Sequence, residues 1–162
     1  MTVEIREAGP EDWPGIWAIF RAVVGTGETY AYAPDITEEV ARASWAGPPA
    51  TAYVAVEEGR IVGTYTLKPN QPGLGAHVAN AGFMVTLGQA GKGIGRAMGR
   101  HALEEARRAG YLAMQFNFVA STNARAVALW QSLGFAIVGT VPQAFRHRRL
   151  GLVDVHVMHR FL

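Results

Sequence analysis

Apolar and polar positions follow two different periods along the chain, and the period changes several times. Trp13, Ile16 and Phe20, for example, recur at helical spacing. Such spacing places apolar side chains on one face of an amphipathic helix. The sequence therefore predicts four helices, at Asp12–Val24, at Ile36–Trp45, from Ile94 to a stop at Gly110, and at Thr122–Leu133.

Seven other segments have the composition and alternation that are typical of strands. They are Val3–Glu7, Thr51–Glu57, Arg60–Leu67, His77–Thr86, Leu112–Ala120, Phe135–Val141 and Leu152–Phe161. The pair Glu58 and Gly59 predicts a hairpin turn between the second and third strands. The order β-α-α-β-β-β-α-β-α-β-β favours a mixed α/β fold over a doubly wound sheet. A length of 162 residues fits a single domain, residues 1–162.

Composition narrows the class of protein without identifying it. The 15 Lys and Arg residues nearly balance the 13 Asp and Glu residues, so the net charge of +2 does not support nucleic-acid binding. The chain has no cysteine, and His156 and His159 face opposite sides of a predicted strand, so we expect no metal site. The first residues are charged and no apolar run is long enough to span a bilayer, so we expect a cytoplasmic protein without a membrane partner. The basic run Arg146–Arg149 is expected in a solvated hairpin loop.

A glycine-rich segment between the fourth predicted strand and the third helix is the best candidate for a phosphate site. Glycines let successive backbone N–H groups converge, and the free N–H groups of the following helix add positive potential. A Walker loop is excluded because Gly93, not Ser or Thr, follows Lys92. A dinucleotide fingerprint is excluded because Arg96 stands where its third glycine belongs. The segment consists of Ala90, Gly91, Lys92, Gly93, Ile94, Gly95 and Arg96.

Residues 82–135 resemble the GNAT superfamily of N-acetyltransferases in three motifs that follow one another in the family's order. The motifs are GFMVTLGQAGKGIGRAMG, the strand LAMQFNFV and the segment TNARAVALWQSLGF. The resemblance implies a mixed, largely antiparallel sheet that splays between its fourth and fifth strands and is flanked by about four helices. It also implies acetyl-coenzyme A (acetyl-CoA) as cofactor, transfer of the acetyl group to an amine, and a homodimer.

The resemblance assigns cofactor-binding residues one by one. The glycine segment would bind the diphosphate of coenzyme A (CoA). The main chain of the strand before it would align the pantetheine arm, and a bulge there would leave N–H groups free to stabilise the oxyanion. That strand contributes Phe83, Met84 and Val85. The last helix contributes Asn123, Ala126 and Trp130, although Asn123 fits the position of a helix cap equally well.

Two catalytic groups that are common in the family are missing. The strand before the glycine segment has no Glu base, and Trp130 stands in place of the Tyr that often protonates the departing thiolate. We therefore expect Asn80 and Asn117 to position the acceptor while a water carries the proton away, because asparagine cannot take a proton at neutral pH. The N–H groups of Phe83 and Met84 complete the predicted catalytic set.

Asparagines narrow the resemblance to fungal acetyltransferases that modify azetidine-2-carboxylate and other proline analogues. The likeness lies in KPN at 68–70, NAGF at 80–83, FNFV at 116–119 and TN at 122–123. It implies that the acceptor is the amine of a small molecule, an amino acid or a molecule similar to a proline analogue, and it assigns Asn80 and Asn117 to substrate binding. Tyr30 and Tyr32, in a predicted loop at Gly25–Pro34, would wall the acceptor pocket. Two alternatives stay open: a peptide or protein acceptor, and an acyl-CoA-binding sensor without catalysis.

Overall fold

The computed structural model describes residues 2–162, in which four α-helices and seven β-strands alternate as the periodicity predicts. The helices are α1 (Trp13–Gly25), α2 (Glu38–Ala46), α3 (Ile94–Arg108) and α4 (Ala124–Ser132). The strands are β1 (Glu4–Glu7), β2 (Thr51–Glu57), β3 (Arg60–Pro69), β4 (Val78–Val85), β5 (Ala113–Ala120), β6 (Ala136–His147) and β7 (Gly151–Phe161). Across this part of the chain, no helix has the length and apolar character needed to cross a membrane.

All seven strands join one sheet in the order β1-β2-β3-β4-β5-β7-β6. Neighbouring strands run antiparallel except β4 and β5, which are parallel. Only two residue pairs join β4 to β5, Val78 with Ala113 and Ala79 with Met114, so the two strands diverge beyond Ala79. The predicted fold class, a mixed and largely antiparallel sheet that splays between its fourth and fifth strands, is confirmed.

Helices cover both faces of the sheet and bury an apolar layer on each. On the face that α1 and α2 cover, Trp45 is 1% exposed, and its indole N–H donates to the Thr64 hydroxyl at 3.0 Å. On the face that α3 and α4 cover, Met98 and Trp130 are buried among the strands. The sheet therefore has one apolar layer under α1 and α2 and a second under α3 and α4.

Local sequence signals explain several element boundaries. Thr37 begins α2 as its N-cap, because its side chain accepts a hydrogen bond from the Val40 N–H. Glu58 and Gly59 have φ values of 50° and 77°, which suit the tight turn that joins β2 to β3. The pairing that begins at this turn shifts by one residue at Val62, because Val56 pairs with Ile61 and Ala55 pairs with Gly63.

β6 is longer than its sequence pattern predicts. The expected strand ends at Val141, but β6 continues to His147 because a register shift between Val141 and Phe145 absorbs Pro142 and the positive-φ residue Gln143. Proline is tolerated in this position because β6 is an edge strand. The alternation that identifies a strand is therefore interrupted without ending the strand itself.

The basic run Arg146–Arg149 is only in part the solvated hairpin loop that the sequence predicts. Arg146, Arg148 and Arg149 are exposed and the turn begins at Arg148, but the run also makes contacts within the protein. His147 belongs to β6 and is 5% exposed. Arg148 donates from its backbone N–H and its side chain to carbonyl groups at and just beyond the end of α1. Arg149 forms an ion pair with Glu28 at 2.9 Å. The β6–β7 hairpin thus holds the loop that follows α1, and this loop bears Tyr30 and Tyr32.

Candidate active site

The divergence of β4 and β5 opens a cavity of about 460 Å³. Its walls come from the tyrosine loop (residues 25–34), from α2, from β3, β4 and β5, and from α4 with the residue before it. A largely apolar wall with a few polar groups is typical of small-molecule sites. The predicted site residues that line it are Tyr30, Tyr32, Asn80, Phe83, Asn117, Asn123, Ala126 and Trp130.

Tyr30 reaches from the tyrosine loop to the main chain of β4. Its hydroxyl accepts a hydrogen bond from the Phe83 N–H at 2.8 Å and donates one to the Phe83 carbonyl at 2.7 Å. Burial raises the pKa of Tyr30, and the hydrogen bond with Phe83 offsets part of that rise. Tyr30 therefore stays protonated at neutral pH, and its hydroxyl both donates and accepts a hydrogen bond.

The N–H groups that β4 leaves free differ from those that the sequence predicts. β3 and β4 pair without a register shift, so the bulge expected over Phe83–Val85 is not present in β4. The Thr86 N–H donates to β3 at 2.9 Å, and because N–H direction alternates along a strand, the Met84 N–H also faces β3. Phe83 and Val85 face the divergence instead. Met84 is thus unsuited to the catalytic role predicted for its N–H, and its side chain is buried on the α1 side.

A β-bulge lies in β5 rather than in β4. Phe116 pairs with Met158 and Val119 pairs with His156, so β5 holds one residue more than β7 between these pairs. Phe116 and Val119 both belong to the core layer beneath α3 and α4. The bulge leaves Asn117 outside that layer, where it lines the cavity.

A chain of amide hydrogen bonds holds both predicted catalytic asparagines. The Gln115 side chain donates to Asn117 Oδ1 at 2.9 Å, and Asn117 Nδ2 donates to Asn70 Oδ1 at 2.7 Å. Asn80 Nδ2 donates to the Gln115 carbonyl at 3.0 Å, which bridges β4 and β5 where their backbone pairing has ended. This contact orients the Asn80 amide, and its Oδ1 has no hydrogen-bond donor among residues 2–162.

The glycine segment has the backbone conformation that a phosphate site requires. Gly91 and Gly93 of the segment have φ values of 84° and 82°, and Gly88, two residues before it, has a φ of 87°. A β-carbon at Gly88 or Gly93 would meet no atom within 4 Å, so the backbone conformation rather than space calls for glycine. The Ala97 N–H donates to the Gly93 carbonyl at 3.0 Å as the first bond of α3. The N–H groups of residues 94–96 precede that bond and have no partner within the helix.

Cations and an unpaired hydroxyl surround this segment. Lys92 and Arg96 belong to it, and Arg125 of α4 approaches it closely, since a β-carbon on Gly91 would lie 3.6 Å from Arg125 Nη1. The Thr86 hydroxyl is buried and has no hydrogen-bond partner within the described chain. Left-handed glycines, free helical N–H groups and three cations together fit an extended diphosphate.

The α4 side of the cavity combines a cap with an aromatic wall. Asn123 Oδ1 accepts a hydrogen bond from the Ala126 N–H at 3.3 Å, so the N-cap interpretation of Asn123 is confirmed. Trp130 is 7% exposed, and its ring centroid lies 4.7 Å from that of Phe83 and 4.8 Å from that of Phe116. Trp130 thus supports the main chain of β4 through packing.

Two further cavity residues have no role in the sequence-based prediction. Lys68 is the one charged residue among those that line the cavity, which include no Asp, Glu or His. The Thr29 hydroxyl is buried and lacks a hydrogen-bond partner in the part of the chain described. The sequence offers little sign of either residue. Lys68 is one lysine in a strand, and Thr29 lies in a loop whose path depends on contacts with the β6–β7 hairpin.

Comparison with known proteins identifies the class. Residues 13–135 match the acetyltransferase (GNAT) family, so the chain belongs to that family. N-acetyltransferase aca1 of Schizosaccharomyces pombe is 36% identical over 98 residues, which cover 60% of this chain and 47% of that protein. The chain therefore spans about half the length of this curated relative.

Solved structures share the fold of this protein over nearly the whole chain. A GCN5-related N-acetyltransferase from Kribbella flavida is 49% identical with a TM-score of 0.94, and the match covers 99% of this chain and 98% of that one. A phosphinothricin acetyltransferase from Sinorhizobium meliloti, in complex with acetyl-CoA, is 21% identical with a TM-score of 0.88 and covers 100% and 89% of the two chains. At 21% identity the second likeness shows the fold alone.

Proposed function

We propose that the protein transfers an acetyl group from acetyl-CoA to the amine of a small amino acid, including proline analogues such as azetidine-2-carboxylate. Membership of the GNAT family supports acetyl-CoA as the acyl donor. The observation that carries the proposal is the cavity between β4 and β5, because it brings Phe83, Asn80 and Asn117 to one space that two substrates can share. Positioning two reactants can lower a barrier by roughly 7–11 kcal/mol.

The glycine segment and α4 form the donor side of the proposed site. The N–H groups of residues 91–96 would hold the diphosphate, and Lys92, Arg96 and Arg125 would neutralise its charge. Asn123, Ala126 and Trp130 line the cavity on the α4 side and would contact the pantetheine arm. The bound cofactor supplies an activated thioester.

The main chain of β4 would stabilise negative charge on the thioester oxygen. Phe83 and Val85 direct their N–H groups toward the divergence, and preorganised donors of this kind are a major source of rate enhancement. Tyr30 now accepts the Phe83 hydrogen bond. We propose that Tyr30 releases this N–H when the thioester enters and that its own O–H becomes a second donor to the same oxygen.

The two asparagines would orient the acceptor amine. Asn80 Oδ1 is free to accept a hydrogen bond from an amine N–H, and Asn117 is fixed beside it by Gln115 and Asn70. Asparagine cannot take up the proton that the amine loses. Because no Asp, Glu or His lines the cavity, we propose that water accepts this proton as the C–N bond forms and the C–S bond breaks. Water would likewise protonate the departing CoA thiolate, so that CoA leaves as the free thiol.

One observation favours a different function, an acyl-CoA-binding sensor without catalysis. The cavity wall has no Asp, Glu or His side chain that could act as a general base. A peptide or protein acceptor is less well supported, because Tyr30 and Tyr32 close one side of the cavity and Arg149 holds their loop through Glu28.

Release of free CoA thiol over a panel of amines tests the proposal. We expect acetyl-CoA turnover with small amino acids and cyclic imino acids, and mass spectrometry should find an acetylated product. Cofactor binding without turnover on any amine would identify the sensor instead. Turnover confined to peptides would refute the small-molecule acceptor and leave the acetyltransferase assignment standing.

We also propose that residues 1–162 act as one cytoplasmic catalytic domain that forms a homodimer. β6 is an edge strand, and Ile137, Val138 and Val141 on it expose between 38% and 61% of their surface. Unpaired strand edges with apolar side chains favour association. We expect sedimentation to give a dimer mass and Val138→Lys to give a monomer. A monomer mass for the unaltered protein at micromolar concentration would contradict this.

A further inference from the structure

Lys68 brings a single charge into a cavity that is otherwise neutral. It lies in β3, is partly buried, and lines the cavity with the aromatic residues of the tyrosine loop. Among residues 2–162 it forms no ion pair and no side-chain hydrogen bond that would account for its position. A cation without a protein partner in a partly enclosed site favours a ligand that carries the opposite charge.

The register of the sheet places this cation beside the asparagine assigned to the amine. Lys68 pairs directly with Asn80 across β3 and β4, so both side chains leave the same face of the sheet. Directly opposed residues have β-carbons about 4.5–5.5 Å apart. The Asn80 amide nitrogen is committed to the Gln115 carbonyl, which leaves Oδ1 as an acceptor next to the lysine.

A hydrogen-bond acceptor beside a cation matches a molecule with an amine beside an anion. We infer that Lys68 binds the carboxylate of the acceptor and that the enzyme therefore selects free α-amino or α-imino acids over their amides, simple amines and peptide N-termini. In such an acid one carbon separates the nitrogen from the carboxyl group, which suits two neighbouring side chains on one sheet face. This inference rests on the proposed function and names its specificity-determining residue.

The same arrangement disfavours acceptors that lack a carboxylate. A simple amine arrives as an ammonium ion, which Lys68 repels when no carboxylate compensates. A peptide N-terminus or an amino-acid amide presents a neutral carbonyl group in place of the carboxylate and leaves the lysine unpaired. A site whose polar or charged group pairs with one group of the ligand discriminates strongly against ligands that lack that group, because its own group is then left unpaired.

The test compares azetidine-2-carboxylate with its carboxamide in three forms of the enzyme. We expect the unaltered enzyme to prefer the acid at least tenfold in kcat/KM, and Lys68→Met to reduce this preference to less than threefold by raising KM for the acid. Lys68→Arg should retain most of the preference, because it keeps the charge. Lys92→Met, which alters the other lysine of the chain, should raise KM for acetyl-CoA and leave the acid preference unchanged.

A binding measurement separates this inference from the proposed function. Trp45 and Trp130 line the cavity, so their fluorescence should report ligand entry into CoA-saturated protein even without turnover. Tighter binding of the acid than of the carboxamide, lost in Lys68→Met, would support the role of Lys68 whether or not acetyl transfer occurs. An acid preference that survives in Lys68→Met, or equal binding of acid and amide by the unaltered protein, would overturn it.

Discussion

Gly93→Val is expected to weaken the binding of CoA about 100-fold while the protein remains folded. Gly93 has a φ of 82° at the start of α3, a conformation that a β-branched residue avoids. Relaxation of this strain would turn the N–H groups of the segment away from the diphosphate. The loss of one or two hydrogen bonds to a charged group, each worth about 1.5–3 kcal/mol, is sufficient for this effect. Calorimetric titration measures the change.

Gly59→Val is the matched control for this substitution. Gly59 has a φ of 77° in the turn between β2 and β3, and a β-carbon there also meets no atom within 4 Å. Both variants should lose about 1–2 kcal/mol of folding free energy from the same backbone strain. Only Gly93→Val should lose affinity. Equal CoA affinity in the two variants would refute the role of the glycine segment.

Removal of the asparagine side chains should give the second large effect. We expect Asn80→Ala and Asn117→Ala each to lower kcat/KM about 100-fold, in line with the loss of one preorganised hydrogen bond at a reacting group. Affinity for CoA should stay the same, because neither side chain belongs to the glycine segment. Steady-state kinetics with the preferred amino acid and titration with CoA measure the two quantities.

Two further variants test whether the loss of activity is specific to the asparagine hydrogen bonds. Asn70→Ala removes the acceptor for Asn117 Nδ2 and should cause a smaller loss, about tenfold, because Asn117 keeps its bond from Gln115. Gln71→Ala alters the exposed neighbour of Asn70 and should leave the kinetics unchanged. Rates close to those of the unaltered enzyme in both Asn80→Ala and Asn117→Ala would remove the asparagines from the mechanism.

Periodicity was sufficient to predict the helices and strands, because burial on one face imposes a pattern that sequence alone reveals. It was less reliable where the backbone departs from regular geometry. The β6 extension beyond Val141 follows a register shift at Pro142 and Gln143, which breaks the alternation. The resemblance to the family predicts a bulge at Phe83–Val85, but in this chain a bulge lies in β5 at Asn117 and none in β4 where it pairs with β3. Single residues do not reveal how two strands pair.

The sequence predicts those residues of the candidate site that share one motif. It does not predict the residues that the fold brings together from distant positions. The glycine segment is contiguous, so its positive-φ turns follow from its composition. Arg125 approaches Gly91 only because α4 packs beside α3. The sequence does not show that Lys68 lies beside Asn80, because this depends on the register between β3 and β4. The sequence predicts Tyr30 as a wall of the pocket, but its hydrogen bond to the Phe83 main chain depends on how the tyrosine loop folds back.

Amide hydrogen exchange along the glycine segment tests the central claim most directly. If main-chain donors of residues 90–96 hold the CoA diphosphate, saturation with CoA should slow their exchange at least tenfold, and pantetheine, which lacks the diphosphate, should not. The β2–β3 turn at Gly59 should exchange at the same rate in every state. Unchanged exchange at residues 90–96 in protein that is saturated with CoA would contradict the account.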